Sequence, residues 1–147
     1  MTPRIIIFEG IDCAGKTTLK KEFEIATNFE HVCVDRFFLT SIIYNKVFKR
    51  HVSQEQELER QLWKFLFMFH PLVVILQPQF EIVLKRIKER GDWVLKKEKD
   101  AKLIHHEYDK FIAANGTLSP FLVLKGNYKV EENVTLILEK LVHDSKN

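Results

Sequence analysis

Short apolar runs alternate along the chain with longer stretches of helical periodicity. Four runs are typical of β-strands, at residues 4–8, 31–35, 72–76 and 121–124. The first and third are almost continuously apolar, which favours strands buried on both faces, as in parallel sheets. We therefore expect a sheet whose strands are separated by helical crossovers.

The intervening stretches carry apolar residues at helical spacing. Helices are predicted at residues 16–28, 37–50, 53–69, 80–90, 101–113 and 130–142. Ser53 is a candidate N-cap with Gln56 in the capping-box position, and Gly91 is placed to end the helix before it. The alternation predicts an α/β fold in three layers, with helices on both faces of a parallel sheet of about four to five strands.

The composition is that of an ordinary globular protein. The 147 residues fit a single domain, and 46% of them are hydrophobic. The formal net charge of +3 suits an anionic ligand but does not by itself indicate a nucleic-acid partner. The two cysteines, Cys13 and Cys33, are too few for a metal-ligand pattern and predict a reduced, cytoplasmic chain. No run approaches the roughly 18 apolar residues of a membrane span, and no signal peptide is expected.

A phosphate-binding pattern follows the first predicted strand. Residues 10–17 read G-I-D-C-A-G-K-T and match G-x-x-x-x-G-K-[S/T] between a strand and a helix, which is the setting of this loop in the P-loop NTPase fold. The glycines let backbone N–H groups point at phosphate oxygens, and the helix N-terminus adds positive potential. Lys16 supplies a charge to the outer phosphates of ATP, and Thr17 supplies a hydroxyl to Mg²⁺. The predicted ATP-binding residues are Gly10, Asp12, Cys13, Ala14, Gly15, Lys16, Thr17 and Thr18.

A wider set of residues resembles the thymidylate kinase family. Residues 8–18 read F-E-G-I-D-C-A-G-K-T-T, and members of that family open with F-E-G-x-D-x-x-G-K-[S/T]-T. Residues 35–37 read D-R-F and are similar to the family's D-R-[Y/F] segment. Residues 73–91 are similar to the strand that leads into the family's lid helix. The resemblance implies one kinase domain over residues 1–147, with a lid at about 85–100.

The resemblance also implies a role for each matched polar residue. Asp12 would contact a sugar hydroxyl of an acceptor nucleotide, and Arg36 would hold the acceptor's phosphate in a bidentate way. Asp35 would lie near Mg²⁺, bound through water. Arg86 and Arg90, four apart on one helix face, would stabilise the transferring phosphoryl group from the lid. The implied catalytic residues are Lys16, Asp35, Arg36, Arg86 and Arg90.

Two departures from the family pattern concern the acceptor and the loop. The chain is shorter than family members between its first helix and Asp35, where they carry segments that cradle the acceptor, so a reduced or rebuilt acceptor site is expected. Phe37 and Tyr44 are candidate acceptor-binding rings, because either could stack on a base. Position 13 is Cys rather than the family's Arg, and a loop without that Arg goes with catalytic arginines in the lid.

Three functions are open at this point. The leading one is a deoxynucleoside monophosphate kinase, which needs no strong base because the acceptor phosphate is already an anion. The second is a kinase that phosphorylates a hydroxyl of a nucleoside or of a hydroxymethylated base in DNA, as viral DNA-modifying kinases do, with Asp35 or Asp12 as the base. The third is a nucleotide-binding regulatory module without turnover. Family members are commonly dimers, and the apolar stretch 63–69 would either form such an interface or fill the core.

Overall fold

The computed structural model describes residues 2–50, 52–91, 97–126 and 129–147. The strands, in chain order, are β1 (Ile5–Glu9), β2 (Val32–Asp35), β3 (Leu72–Gln77) and β4 (Phe121–Lys125). They form one parallel sheet in the order β2-β1-β3-β4. Within the described residues, the predicted parallel sheet is thus confirmed with four strands.

The described residues also contain six α-helices. They are α1 (Lys16–Ala26), α2 (Phe38–Phe48), α3 (Glu55–Phe69), α4 (Phe80–Arg90), α5 (Glu98–Asn115) and α6 (Val130–Ser145). Helix α1 packs against α6, whereas α2 packs against both α3 and α5. Because crossovers between parallel strands are right-handed, the reversal of chain direction after β2 places these two groups on opposite faces of the sheet. The sheet is therefore the middle of three layers, as predicted.

The two central strands form the core of the sheet. Strand β3 lies between β1 and β4 and is buried along its whole length. Strand β1 is buried from Ile6 to Glu9. The ring of Phe8 lies 6.0 Å from that of Phe23 on α1, measured between centroids, which fixes the first helix against the first strand. The loop that joins these two elements is therefore anchored at both ends.

The strand order creates a crevice at one edge of the sheet. The chain leaves β1 for β2 on one side and then returns to β3 on the other side of β1. In an open parallel sheet, such a switch in direction opens a crevice between the carboxyl ends of the strands. Glu9 at the end of β1 pairs in register with Ile75 of β3, and Asp35 ends β2 beside Phe8. Residues that follow three neighbouring strands therefore meet at this edge.

Two predicted helix starts are wrong. Ser53 lies in a 3₁₀ turn, and α3 begins at Glu55 without a side-chain cap bond. Glu55 and Glu57 in its first turn partly compensate for the missing cap, because negative charge is stabilising at a helix N-terminus. Helix α5 begins at Glu98 rather than at 101, so it takes up the end of the predicted lid region. Residues 92–96 of that region lie outside the described residues.

The apolar stretch on α3 is divided between the core and the surface. Leu62 and Leu66 are buried, whereas Phe67 is 79% exposed. A continuous apolar run on a helix cannot face the core at every position, because side chains on opposite faces diverge. Of the two alternatives for this stretch, filling the core does not hold for three of its rings, because Trp63 and Phe69 are also 39% and 54% exposed. None of the described helices, α3 included, has the length and hydropathy of a membrane span.

Candidate active site

The loop between β1 and α1 is shaped by residues with left-handed backbone. Gly10 has φ of 144°, and a Cβ on it would lie 2.5 Å from the carbonyl oxygen of Leu76 on β3. Gly15 has φ of 98° at the start of α1, and Cys13 between them has φ of 64°. Glycine is required at position 10 because the neighbouring strand leaves no room for a side chain. The loop therefore curls tightly at the carboxyl end of β1.

Lys16 is buried inside this loop. Its side chain is 5% exposed, and Nζ donates hydrogen bonds of 2.8 Å to the carbonyl oxygens of Gly10 and Ile11. Burial lowers the pKa of Lys16 to about 8, and the nearby Asp35 and Glu9 carboxylates partly offset this effect. The loop thus holds a partly desolvated ammonium group on two carbonyl dipoles. A bound anion would stabilise this ammonium far more strongly than the two carbonyls do.

Thr17 and Asp35, the pair predicted to lie near Mg²⁺, are in direct contact. Thr17 Oγ1 donates a 3.1 Å hydrogen bond to Asp35 Oδ2. Hydroxyl and carboxylate oxygens suit Mg²⁺, which is usually held by one or two carboxylates together with water and substrate phosphates. Among the described residues, no cluster of three or more His, Cys, Asp or Glu could hold a metal alone. The donor set therefore fits Mg²⁺ only together with a bound polyphosphate.

Asp12 and Arg36 form an ion pair. Asp12 is 4% exposed, whereas about half of the Arg36 side chain is open to solvent. Arg36 has φ of 65°, and its N–H donates a 2.9 Å hydrogen bond to the carbonyl of Phe8, so the turn after β2 is tied to β1. The two residues assigned to the acceptor by resemblance thus neutralise each other.

Tyr44 lies on the inner side of α2. Its ring is 8% exposed, and its hydroxyl accepts a 3.2 Å hydrogen bond from the backbone N–H of Asp12. A ring this deeply buried offers no face to a nucleobase in this structure, contrary to the expectation from sequence. Tyr44 instead supports the loop between β1 and α1 through its hydrogen bond to the Asp12 backbone.

Two arginines of α4 reach the same loop. Arg86 Nη1 donates a 3.2 Å hydrogen bond to the carbonyl of Cys13, and Arg90 Nη1 lies 3.5 Å from Cys13 Sγ. The two positions are four residues apart and therefore share one helix face. The structure thus brings both arginines that the resemblance assigns to a lid to Cys13, the loop position at which thymidylate kinases usually carry an arginine.

Most of these residues, but not Gly10, Asp12 or Tyr44, line a cavity of about 610 Å³ at the carboxyl edge of the sheet. This volume is in the range of small-molecule sites. The predicted site residues that line it are Cys13, Ala14, Gly15, Lys16, Thr17, Thr18, Asp35, Arg36, Arg86 and Arg90. Glu89, Val130 and Asn133 also line it and were not identified from the sequence.

A second, more open cavity of about 390 Å³ adjoins the start of α2. Arg36, Phe37, Phe38, Thr40 and Ser41 line it. The Phe37 ring packs on the rings of Phe38 and Phe65, with centroids 4.3 and 4.8 Å away. Arg36 lines both cavities, so the two cavities adjoin each other at this residue.

Glu9 is a residue of this site to which sequence reasoning gave no role. It is 1% exposed, and its carboxylate accepts hydrogen bonds from the N–H of Phe37 at 2.8 Å and from the hydroxyl of Thr40. That hydroxyl in turn lies 3.1 Å from the hydroxyl of Tyr108 on α5. Burial raises the pKa of Glu9. Glu9 therefore ties the turn that carries Arg36 to the core. The signal in the sequence was an acidic residue at the end of an otherwise apolar strand.

Solved structures with the same fold include a nucleoside kinase and a nucleotide kinase. Deoxyadenosine kinase from M. mycoides with bound dCTP superposes with a TM-score of 0.68 at 17% identity, over 95% of this chain and 99% of that chain. Thymidylate kinase from Candida albicans gives 0.67 at 12% identity, over 98% and 93%. The YorR protein of Bacillus subtilis, in complex with phosphorylated GDP, gives 0.69 at 19% identity, over 98% and 99%.

The chain has a nucleoside/nucleotide kinase fold. No protein-family model and no curated protein sequence matches it. The fold implied by the resemblance to thymidylate kinases is confirmed, and the phosphate loop of this kinase fold lies at the strand end where ligands bind in open parallel sheets.

Glu9→Gln tests the buried carboxylate of this kinase fold. Because burial raises the pKa of Glu9 above its ordinary value of 4.5, the folded protein keeps a proton that the unfolded chain has released, and stability falls as pH rises through that window. Gln keeps an oxygen acceptor for the Phe37 N–H and carries no charge. We expect the wild type to lose stability as pH rises above 4.5 and the variant to lose less. The free energy of unfolding of the variant minus that of the wild type, measured by urea unfolding, should therefore increase with pH.

Glu22→Gln, on the exposed side of α1, is the matched control and should follow the wild-type profile. A difference between Glu9→Gln and wild type that stays constant with pH would contradict the proposed state of Glu9.

Lys16 predicts a pH dependence of anion binding. With a pKa of about 8, Lys16 loses its charge in the free protein as pH rises through that value, whereas a bound polyphosphate would raise the pKa again. Affinity for ATP should therefore fall above about pH 8, and binding there should take up a proton. Calorimetric titration in two buffers of different ionisation enthalpy measures both effects. In Lys16→Arg the charge persists, so the dependence should disappear; an identical dependence in that variant would assign it to another group.

Proposed function

We propose that this chain is an ATP-dependent phosphotransferase that phosphorylates a deoxynucleoside monophosphate. The observation that carries the proposal is the position of Arg36, which lines both the loop cavity and the cavity at the start of α2. A donor triphosphate on the loop and an acceptor beside Phe37 would place the transferred group at this arginine. Holding two reactants in such an arrangement removes much of the entropic barrier to reaction.

On the donor side, Lys16 would exchange its two carbonyl partners for oxygens of the outer phosphates. Thr17 and Asp35 would hold Mg²⁺ together with the phosphates, and the ion would neutralise charge on the β- and γ-phosphate oxygens. Arg86 and Arg90, which already contact Cys13, would neutralise charge on the phosphoryl group during its transfer. No step of this kind needs a strong base, because a phosphate acceptor is already an anion.

On the acceptor side, Arg36 would leave Asp12 for the acceptor's phosphate. A guanidinium matches phosphate with two parallel hydrogen bonds, so the exchange replaces one charge-assisted contact with a better one. Asp12 would then be free to accept a hydrogen bond from a sugar hydroxyl. Phe37 supplies an apolar surface in the acceptor cavity on which a base can lie.

A second candidate is a kinase that acts on a hydroxyl, with a nucleoside or a hydroxymethylated base in DNA as acceptor. The observation that favours it is Asp35, an exposed carboxylate in the same cavity as Arg36 that could accept the hydroxyl's proton. The open acceptor cavity leaves room for a larger acceptor. Solved structures of the same fold include a deoxyadenosine kinase, which gives the nucleoside case support of its own.

The test is transfer of label from γ-labelled ATP in the presence of Mg²⁺. The acceptors are dTMP, the other deoxynucleoside monophosphates, deoxynucleosides, and DNA with and without hydroxymethylated pyrimidines. We expect label on a monophosphate, loss of transfer in Lys16→Ala, and a fall of about a hundredfold in Arg36→Lys because Lys cannot bind phosphate in a bidentate way. Arg60→Lys, on the exposed face of α3, is the matched control and should leave the rate unchanged.

Each result decides between the candidates. Label only on nucleosides or only on hydroxymethylated DNA would replace the first candidate with the second, and Asp35→Asn should then abolish transfer. ATP binding without transfer to any acceptor would contradict both candidates and leave a regulatory nucleotide-binding module.

A further inference from the structure

One part of the loop cavity is not explained by phosphate chemistry. Besides the loop and the arginines, the cavity is lined by Leu19 of α1 and by Val130 and Asn133 in the first turns of α6. Helices α1 and α6 pack together, so this side of the cavity is built from two elements held against each other. If a nucleoside triphosphate binds with its phosphates on the loop, its nucleoside must occupy another part of the same cavity.

Asn133 interrupts an otherwise apolar face of α6. The inward positions Val134, Ile137 and Leu141 are buried and apolar, as expected for an amphipathic helix on a core. Asn133 is partly buried beside them, and its buried Oδ1 has no hydrogen-bond partner among the residues that the structure describes. A buried polar atom without a partner is destabilising, so it calls for an explanation. A buried amide oxygen without a partner, on a side chain that lines a cavity, is explained if a ligand supplies the donor.

We propose that the Asn133 carboxamide binds the hydrogen-bonding edge of the purine base of the phosphate donor. This inference rests on the proposed function, because it takes the cavity to hold a nucleoside triphosphate. Adenine presents an amino donor beside a ring-nitrogen acceptor, and the Asn carboxamide carries the complementary acceptor and donor. Leu19 and Val130 supply apolar surface in the same cavity for the faces of the base.

The amide can serve either purine, because exchanging its two ends by rotation exchanges acceptor and donor. Adenine would place its amino group at Oδ1, whereas guanine would place its ring N–H there and its carbonyl oxygen at Nδ2. The shared chemistry is a donor beside an acceptor on the base edge, and comparing ATP with GTP distinguishes the two sources.

Asn133→Leu is the sharpest test, because it keeps the shape of the side chain and removes both polar ends. Calorimetric titrations with Mg²⁺ would compare ATP, GTP and inorganic tripolyphosphate, which carries phosphates without a base. We expect affinity for the preferred purine nucleotide to fall about tenfold and affinity for tripolyphosphate to stay unchanged. The thermal midpoint of the free variant should equal or exceed that of the wild type, because a side chain with an unpaired buried oxygen is replaced by an apolar one of similar volume.

Two further variants complete the test. Thr135→Ala, at an exposed position on the same helix whose hydroxyl donates to the Glu131 carbonyl, should change neither affinity. Asn133→Ala provides a second removal of the amide if the Leu side chain disturbs packing, and it should reproduce the loss of nucleotide affinity.

The outcomes are distinct. Loss for ATP alone identifies adenine as the base, and equal loss for ATP and GTP identifies the edge that both purines share. Unchanged affinity for both nucleotides, or equal weakening of nucleotides and tripolyphosphate, would overturn the role of Asn133. Failure of the wild-type protein to bind either nucleotides or tripolyphosphate would instead contradict the proposed function on which this inference rests.

Discussion

A buried ammonium group inside a tight loop is the constraint on which the site depends. Lys16 is desolvated enough for its pKa to fall to about 8, and its hydrogen bonds go to the carbonyls of Gly10 and Ile11. A charge in such a place is costly unless a counter-charge arrives. Glycine at position 10 and the left-handed turn at Gly15 let the backbone wrap this ammonium while leaving one side open. The loop is therefore organised for an anion before one binds.

The strand order extends this constraint to the other residues of the site. Because β2 lies beside β1 in register, Asp35 ends next to Phe8, and the following Arg36 is tied to the same strand. The buried Glu9 holds the next backbone N–H, so the turn that carries Arg36 rests on the core. Arg36 is paired with Asp12, so under the proposed function an acceptor phosphate would have to compete with a carboxylate for it. That competition would favour acceptors with two oxygens to offer over acceptors with only a hydroxyl.

Features encoded by local pattern could be predicted from the sequence, whereas features that depend on tertiary contacts could not. The buried strands, the phosphate loop and the helix ending at Gly91 follow from apolar runs, glycine positions and spacing. The start of α3 was missed because a 3₁₀ turn before Glu55 takes the place of a Ser53 cap. Tyr44 was expected to face a base, but its hydroxyl is used by the loop backbone. The contacts of Glu9 and the position of Asn133 in the cavity wall emerge only when distant elements are packed together.

The most direct test of the central claim is a crystal structure with Mg²⁺ and a non-hydrolysable ATP analogue. We predict that the triphosphate lies on the loop, that Lys16 Nζ has left the carbonyls of Gly10 and Ile11 for phosphate oxygens, and that Thr17 Oγ1 has left Asp35 for the metal ion. A nucleotide bound elsewhere, with Lys16 still on both carbonyls, would contradict it.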